Sequence, residues 1–464
     1  MAYLTETIRQ PHGLSSGVAT APALLLLFVL CLIPPSYFFF AGLRLSPTRL
    51  MLLIAFVPLL IRLLTGAAGR IRTTDVVLML FMVWMVVTLI YHHGMERFPY
   101  AMISVVEIFG GYLVGRVLVR NATDFRMLFR FVFWVLVALS PFVLVELLTD
   151  RNLLQELSRK VLPTYAKAES SYGRIGLYRV MAGFEHPILY GLFCAAVFGP
   201  VLAVLGHRWG AWMALVLFLG LMTFASLSSA PLLALAIQLG LMVWAWMTKG
   251  RWWLLVGLGL SAYVTIDLLS NRTPITILID YITFDPGTAW TRVLTWEYGS
   301  AEMWRHPIFG IGLNDWTRPG WLTSSVDNFW LVIGMRHGAL GLLLMIWALA
   351  AGLWAVLRVR GLNDQTAHLR RNYVLAIFAI YTALGTVHIW GDSSSFIMLL
   401  IGAGAWFSDA PPDPGGGASP LALKPEGQPP YSRFPLKARQ GTSERGRYRS
   451  SMPTLPHLRP ISDD

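Results

Sequence analysis

The chain reads as an all-α, polytopic integral membrane protein of about twelve transmembrane helices, with two long outer loops bearing short interfacial helices. Three observations carry that reading. The 464 residues are 55% hydrophobic and only 13% charged, whereas a soluble domain carries about 25% charged residues. Apolar runs near the ~20 residues that cross a bilayer recur from one end to the other. The short loops between them alternate in charge. The net charge of +12 gathers beside the runs and in the C-terminal tail, so it does not indicate nucleic acid as a partner.

By hydropathy the spans fall near residues 21–42, 50–64, 75–91, 100–118, 127–149, 187–205, 211–227, 231–247, 252–269, 327–357, 371–390 and 393–408. The first run is too long for a signal segment and no small-residue cleavage site follows it, so it is expected to stay as a span. The chain then divides into an N-terminal segment (1–20), N-terminal spans (21–149), a first outer loop (150–186) and central spans (187–269). A second outer loop (270–326), C-terminal spans (327–408) and a basic, disordered tail (409–464) follow. One set of loops holds Arg62, Arg70, Arg72, Arg116, Arg120, Arg126, Arg130, Arg208, Lys249, Arg251, Arg358, Arg360, Arg370 and Arg371. That set should be cytoplasmic, with both termini. In the outer loops, Asp150 or Asn152 suits the cap of a short helix whose Leu153, Leu154, Leu157 and Val161 share a face. Asp285-Pro286 suits the start of an interfacial helix with Trp290, Val293, Leu294, Ala301 and Trp304 on one stripe, ended by Pro307. Cys31 and Cys194 lie inside apolar runs and read as packing residues.

Two Arg-rich stretches, Ala166–His186 and Asp280–Asn328, fall outside the apolar runs, and the topology puts both on the non-cytoplasmic face. Long loops are exempt from positive-inside sorting, so their charge has to be explained by a partner. Arg174 and Arg179 flank Gly176 just before Gly183–Pro187. The planar guanidinium fork matches phosphate oxygens, which makes them a candidate diphosphate clamp. A lipid-headgroup anchor or a structural ion pair is the plainer alternative. Arg292 is expected on the polar side of the interfacial helix near Trp296, where ordinary snorkelling is the alternative. Asp327 opens a long apolar helix and is either its N-cap or a general base that orients an acceptor, with Glu185 and Glu302 as competing carboxylates. Arg336 and His337 lie about 14 Å deeper along that helix. An Arg there is costly unless paired or lining a wet cavity, and Glu107 and Glu146 are its possible partners. His186, Arg305, His306 and Asn328 adjoin these residues and join Arg174, Glu185 and Arg336 as candidate substrate-binding groups. Gly310-Ile311-Gly312 lacks the context of a phosphate-binding loop and reads as a tight turn. No His-x-x-x-His, Cys-x-x-Cys or Asp-x-Asp spacing occurs, so neither a metal nor another cofactor is expected.

At these loops the sequence resembles the O-antigen ligase/polymerase family of bacterial membrane glycosyltransferases. Arg179-Val-Met-Ala-Gly183-Phe184-Glu-His-Pro187 is similar to the family's Arg…Gly-Phe…Pro turn before a span. Thr291-Arg292…Trp296 through Pro307-Ile-Phe-Gly310-Ile-Gly312-Leu313 is similar to its Arg…Trp…Pro-Leu-Phe-Gly-Val-Gly segment. Asp327-Asn328-Phe-Trp-Leu331 through Gly338-Ala-Leu-Gly341 is similar to its His-Asn-x-x-Leu…Gly-x-x-Gly helix start, and the turn Thr223–Pro231 also suits the family. The resemblance covers roughly Val180–Trp347. It implies transfer of glycan from a polyprenyl-diphosphate-linked donor to a glycan acceptor, at the periplasmic face of the bacterial inner membrane. Arg179 and Arg292 fall on the family's diphosphate-binding positions. Asp327 falls where the family has its catalytic His, a departure that favours a polymerase of exopolysaccharide or O-antigen repeat units over ligation to lipid A core.

Three functions therefore stand open: a repeat-unit polymerase, a ligase passing finished glycan to a lipid or protein acceptor, and a transporter lined by Arg336, Glu107 and Glu146. The lipid bilayer and other polysaccharide export proteins are the expected surroundings.

Overall fold

The computed structural model describes residues 20–40, 43–164, 174–269 and 286–410. They fold as a bundle of α-helices with one two-stranded hairpin. The expected first span, 21–42, divides in two. Helix α1 (Thr20–Cys31) stops just ahead of Pro34-Pro35, because consecutive prolines remove backbone donors and cannot continue a helix. Phe38–Phe40 (β1) then pairs antiparallel with Leu43–Leu45 (β2).

The other helices are α2 (Pro47–Leu64), α3 (Thr73–His93), α4 (Phe98–Val105), α5 (Gly111–Leu118), α6 (Ala122–Thr149), α7 (Leu153–Ser158), α8 (Pro187–Leu205) and α9 (Trp209–Phe224). They continue with α10 (Ser229–Met247), α11 (Trp252–Leu269), α12 (Pro286–Arg305), α13 (Phe329–Leu357), α14 (Asp364–Ala383) and α15 (Gly391–Ala403). A π-turn, Val106–Gly110, joins α4 to α5. Among the described residues, eight helices are long and apolar enough to cross a membrane: α2, α3, the run Met95–Leu118, α6, α8, α10, α11 and α13. Helices α1 and α9 are apolar but shorter. The expected span 371–390 is displaced to α14, since Asn363 caps that helix by accepting from the Thr366 N–H at 2.8 Å. Hydropathy does not register such a polar start, and residues 384–390 leave the helix as a loop.

Helix α8 is buried along almost its whole length and forms the centre of the bundle. The outer helices turn large apolar side chains outward, among them Ile54, Val83, Trp134, Leu217 and Val256. A chain that buries Arg116 while exposing these residues has lipid, not water, as its surrounding solvent.

One end of the bundle is built on charge. Arg116 and Asp75 are fully buried and paired at 3.2 Å, and Arg116 also donates to the Ala68 and Arg70 carbonyls. Arg72 and Arg120 converge on Asp409, and Arg126 donates to Gln365. Arg72, Arg116, Arg120 and Arg126, from two of the basic loops read as one set, thus lie at one end. Arg116→Met should destabilise the protein by about 3–5 kcal/mol, because it strands a buried carboxylate. Pairing it with Asp75→Asn should recover most of that loss, as thermal unfolding in detergent would show. Helix α3 starts at this cluster and runs about 30 Å away from it. At its far end the His93 imidazole accepts from the Leu313 N–H at 2.7 Å. The arginine-bearing outer segments gather at that second end.

Candidate functional site

The segment carrying Arg174 and Arg179 is held by backbone hydrogen bonds. Positive φ at Ile175 and Gly176 (58° and 75°) turns the chain so that Arg174 and Leu177 exchange N–H···O bonds of 2.8 and 3.0 Å. Glu146, buried near the end of α6, accepts from the Met181 and Ala182 N–H groups at 3.1 and 3.0 Å. It therefore orients the chain just after Arg179 and is not the expected partner of Arg336. Asn152, rather than Asp150, caps α7 and also donates to the Ala182 carbonyl. Only part of the predicted apolar face is packed: Leu154 lies against the core, Leu157 is exposed, and Val161, also exposed, falls past the end of the helix. The turn between α9 and α10 receives both arginines. Arg174 donates to the Leu227 carbonyl at 2.8 Å, and Arg179 donates to the Ser228 hydroxyl at 2.9 Å.

Arg292 is reached through α12, whose packing differs from the expected stripe. The buried positions are Thr295, Gly299, Glu302 and Met303, of which Gly299 meets Leu331 and Met335 of α13 and Met303 meets Gly334. Trp290, Trp296 and Trp304 point outward. Arg292 lies one turn before Thr295 and is half-buried on the packed face, not on the polar side. Apolar composition alone could not distinguish the two faces, because a bilayer accepts tryptophan as readily as a protein core does. Asp285, the expected cap, lies outside the described residues.

Asp327 is not the N-cap of α13. Asn328 takes that role, accepting from the Leu331 N–H at 3.0 Å. The Asp327 carboxylate is left exposed, with the Ser325 hydroxyl 3.4 Å away. The start of α13 is fixed from a third direction, because the Phe329 N–H donates to the Leu384 and Val387 carbonyls at 2.9 and 3.1 Å.

These segments bring Arg174, Arg179, Arg292 and Asp327 into one electrostatic unit. Burial pushes the Arg179 guanidinium down to about 10, with Arg174 adding to the shift and Asp327 opposing it. Burial also lowers Arg292, with Asp327 opposing the shift and Arg174 adding to it. The Nε atoms of Arg179 and Arg292 are buried without a hydrogen-bond acceptor among the described residues. Buried donors are nearly always satisfied, so two such atoms beside one carboxylate mark a place for an oxygen-rich anion. His186 is the N-cap of α8 through its Nδ1, and burial followed by Arg179 pushes it down to about 4. It is a neutral neighbour of the cluster at pH 7.

A cavity of about 710 Å³ opens beside the cluster, lined by Asp327, Arg336, His388, Trp390, Tyr100 and the Asp315–Arg318 pair, among others. Its wall depends on a break in α13 at Gly338 (φ 73°, ψ 177°). The carbonyls of Met335 and Arg336, freed by the break, accept from the Ile311 and Gly312 N–H groups at 2.7 and 3.0 Å. The Ala339 N–H donates to the Pro307 carbonyl at 2.7 Å. Gly310 and Gly312 both take positive φ, so the expected tight turn exists to satisfy a broken membrane helix. A Cβ at Gly338 would lie 2.1 Å from the Ile308 carbonyl oxygen. Gly338→Ala should therefore cost at least about 1–3 kcal/mol from backbone strain alone, measurable as a lowered melting temperature.

Not every predicted residue joins the site. Arg305 and His306 are exposed and face Glu302 at 3.1 and 3.7 Å, on the outer end of α12. Glu185 supports the cavity from behind, accepting from the Trp390 indole N–H at 2.5 Å. Glu107 is paired with Arg49 at 2.6 Å, and His337 bonds the Thr88 hydroxyl at 2.7 Å. Ser228, His388 and Trp390 are the additions, and Glu146 takes a role other than the one expected. His388 and Trp390 fall in a loop that hydropathy had absorbed into a span. Among the described residues no cluster of metal-ligating side chains occurs. Comparison with known protein families and with curated proteins finds no match to this chain.

Proposed function

We propose that the protein is a membrane glycosyltransferase that takes a polyprenyl-diphosphate-linked glycan donor and polymerises repeat units of an exopolysaccharide or O-antigen. The observation that carries this reading is that Arg179 and Arg292 are each acted on by the charges of both Arg174 and Asp327, and that each keeps a buried Nε with no acceptor among the described residues. In this reading about twelve spans cross the bacterial inner membrane, both termini are cytoplasmic and the arginine cluster faces the periplasm. The basic tail lies beside anionic lipid.

The donor diphosphate sits between Arg179 and Arg292, with Arg174 nearby. Each guanidinium keeps donors free for phosphate oxygens, and their charge offsets the charge that grows on the leaving group. The acceptor glycan enters the cavity. Its hydroxyl oxygen forms a bond to the donor's anomeric carbon as the bond from that carbon to the diphosphate oxygen breaks. Polyprenyl diphosphate leaves with the electron pair. The Asp327 carboxylate accepts the hydroxyl proton. No residue in this scheme requires a metal.

Deleting the gene tests the reading. A polymerase mutant makes single repeat units, while loss of a ligase leaves long polymer on the lipid carrier. The second outcome would replace polymerisation with ligation and leave the anion site as assigned.

A further inference from the structure

The cavity contains a second cationic position that the diphosphate does not need. Arg336 lines it, yet it is not among the charges that act on Arg179 or Arg292. Three carboxylates around the cavity are paired with other groups: Glu107 with Arg49, Asp315 with Arg318 at 2.5 Å, and Glu185 with Trp390; Asp327, which lines the same cavity, acts on Arg179 and Arg292. Beside Arg336 stands His388, with its Nδ1 buried and without a partner among the described residues. Burial and Arg336 together push His388 down to about 3, so it adds a neutral hydrogen-bonding edge. Trp390 lies 6.0 Å from that ring and offers an apolar face. An arginine at the break of a membrane helix has to be matched by a wet cavity or an anion.

From this we infer that the cavity selects an acidic acceptor glycan, with Arg336 pairing a sugar carboxylate while His388 and Trp390 hold the ring that carries it. The inference rests on the transfer reading above. A volume of about 710 Å³ suits a short oligosaccharide.

Titration calorimetry on the purified full chain in detergent tests it, with β-1,4-linked triglucuronate and its carboxyl-reduced counterpart, cellotriose, as probes. Triglucuronate should bind at least about tenfold more tightly, the scale of one charge-assisted contact. Arg336→Gln should remove that preference and leave cellotriose affinity unchanged, which also shows that the variant is folded. Equal binding of the two probes, no binding of triglucuronate, or equal weakening of both by Arg336→Gln overturns the inference. So does a preference lost in Arg179→Ala but kept in Arg336→Gln. Farnesyl diphosphate titrated in parallel separates the two ideas: if Arg179→Ala and Arg292→Ala bind it like the parent chain, it is the transfer reading that fails.

Discussion

Alanine at Arg179 or at Arg292 should lower the rate of glycan transfer by about 10²–10³-fold while the protein stays in the membrane at its normal level. Both side chains are held by their surroundings before any substrate arrives. Arg179 is anchored through one nitrogen to Ser228, and Arg292 is half-buried on α12. Their loss removes donors aimed at a leaving group whose charge grows during the reaction. Lysine should restore only part of the rate, since it returns the charge without the fork. Polymer length on gels, normalised to membrane protein, reads the effect. Normal chain length in either alanine variant would contradict the assignment. Ser228→Ala should have a smaller effect in the same direction, because it loosens Arg179 without deleting it.

Asp327→Asn should cost about 10²–10⁴-fold, the range for losing a positioned general base. The substitution keeps the side chain's size and removes the ability to take a proton at neutral pH together with the negative charge that acts on Arg179 and Arg292. Asn328→Ala is the structural comparison. It deletes the true cap of α13, costs about 1 kcal/mol in stability and should lower activity far less. If the two variants lose activity equally, Asp327 acts only through the geometry of the helix start.

The sequence made the membrane-spanning character and the arginines of the outer loops legible, since both depend on composition over long windows. The charge of Arg174, Arg179, Arg292 and Asp327 set them apart from the apolar runs beside them, but it was the family resemblance that singled out Arg179 and Arg292 among the basic residues. What hydropathy could not register was direction. It placed Arg292 on the wrong side of α12, because the outward tryptophans look like a packed stripe. It gave Asp327 a capping role that the next residue, Asn328, fulfils. It treated 371–390 as one span, hiding the loop that carries His388 and Trp390. Glu146 reaches Met181 and Ala182 across more than thirty residues, and nothing local in the chain announces that pairing. The Gly338 break is likewise a tertiary feature, made tolerable by backbone donors from Ile311 and Gly312.

The proposed activity is glycosyl transfer from a lipid diphosphate at the cationic cluster on one end of this bundle. Purified protein in liposomes, supplied with polyprenyl-diphosphate-linked oligosaccharide, tests it directly. Longer glycans should form together with release of polyprenyl diphosphate, both lost in Arg179→Ala and Arg292→Ala. Movement of the lipid-linked oligosaccharide across the bilayer with no new glycosidic bond would contradict it and make the protein a transporter.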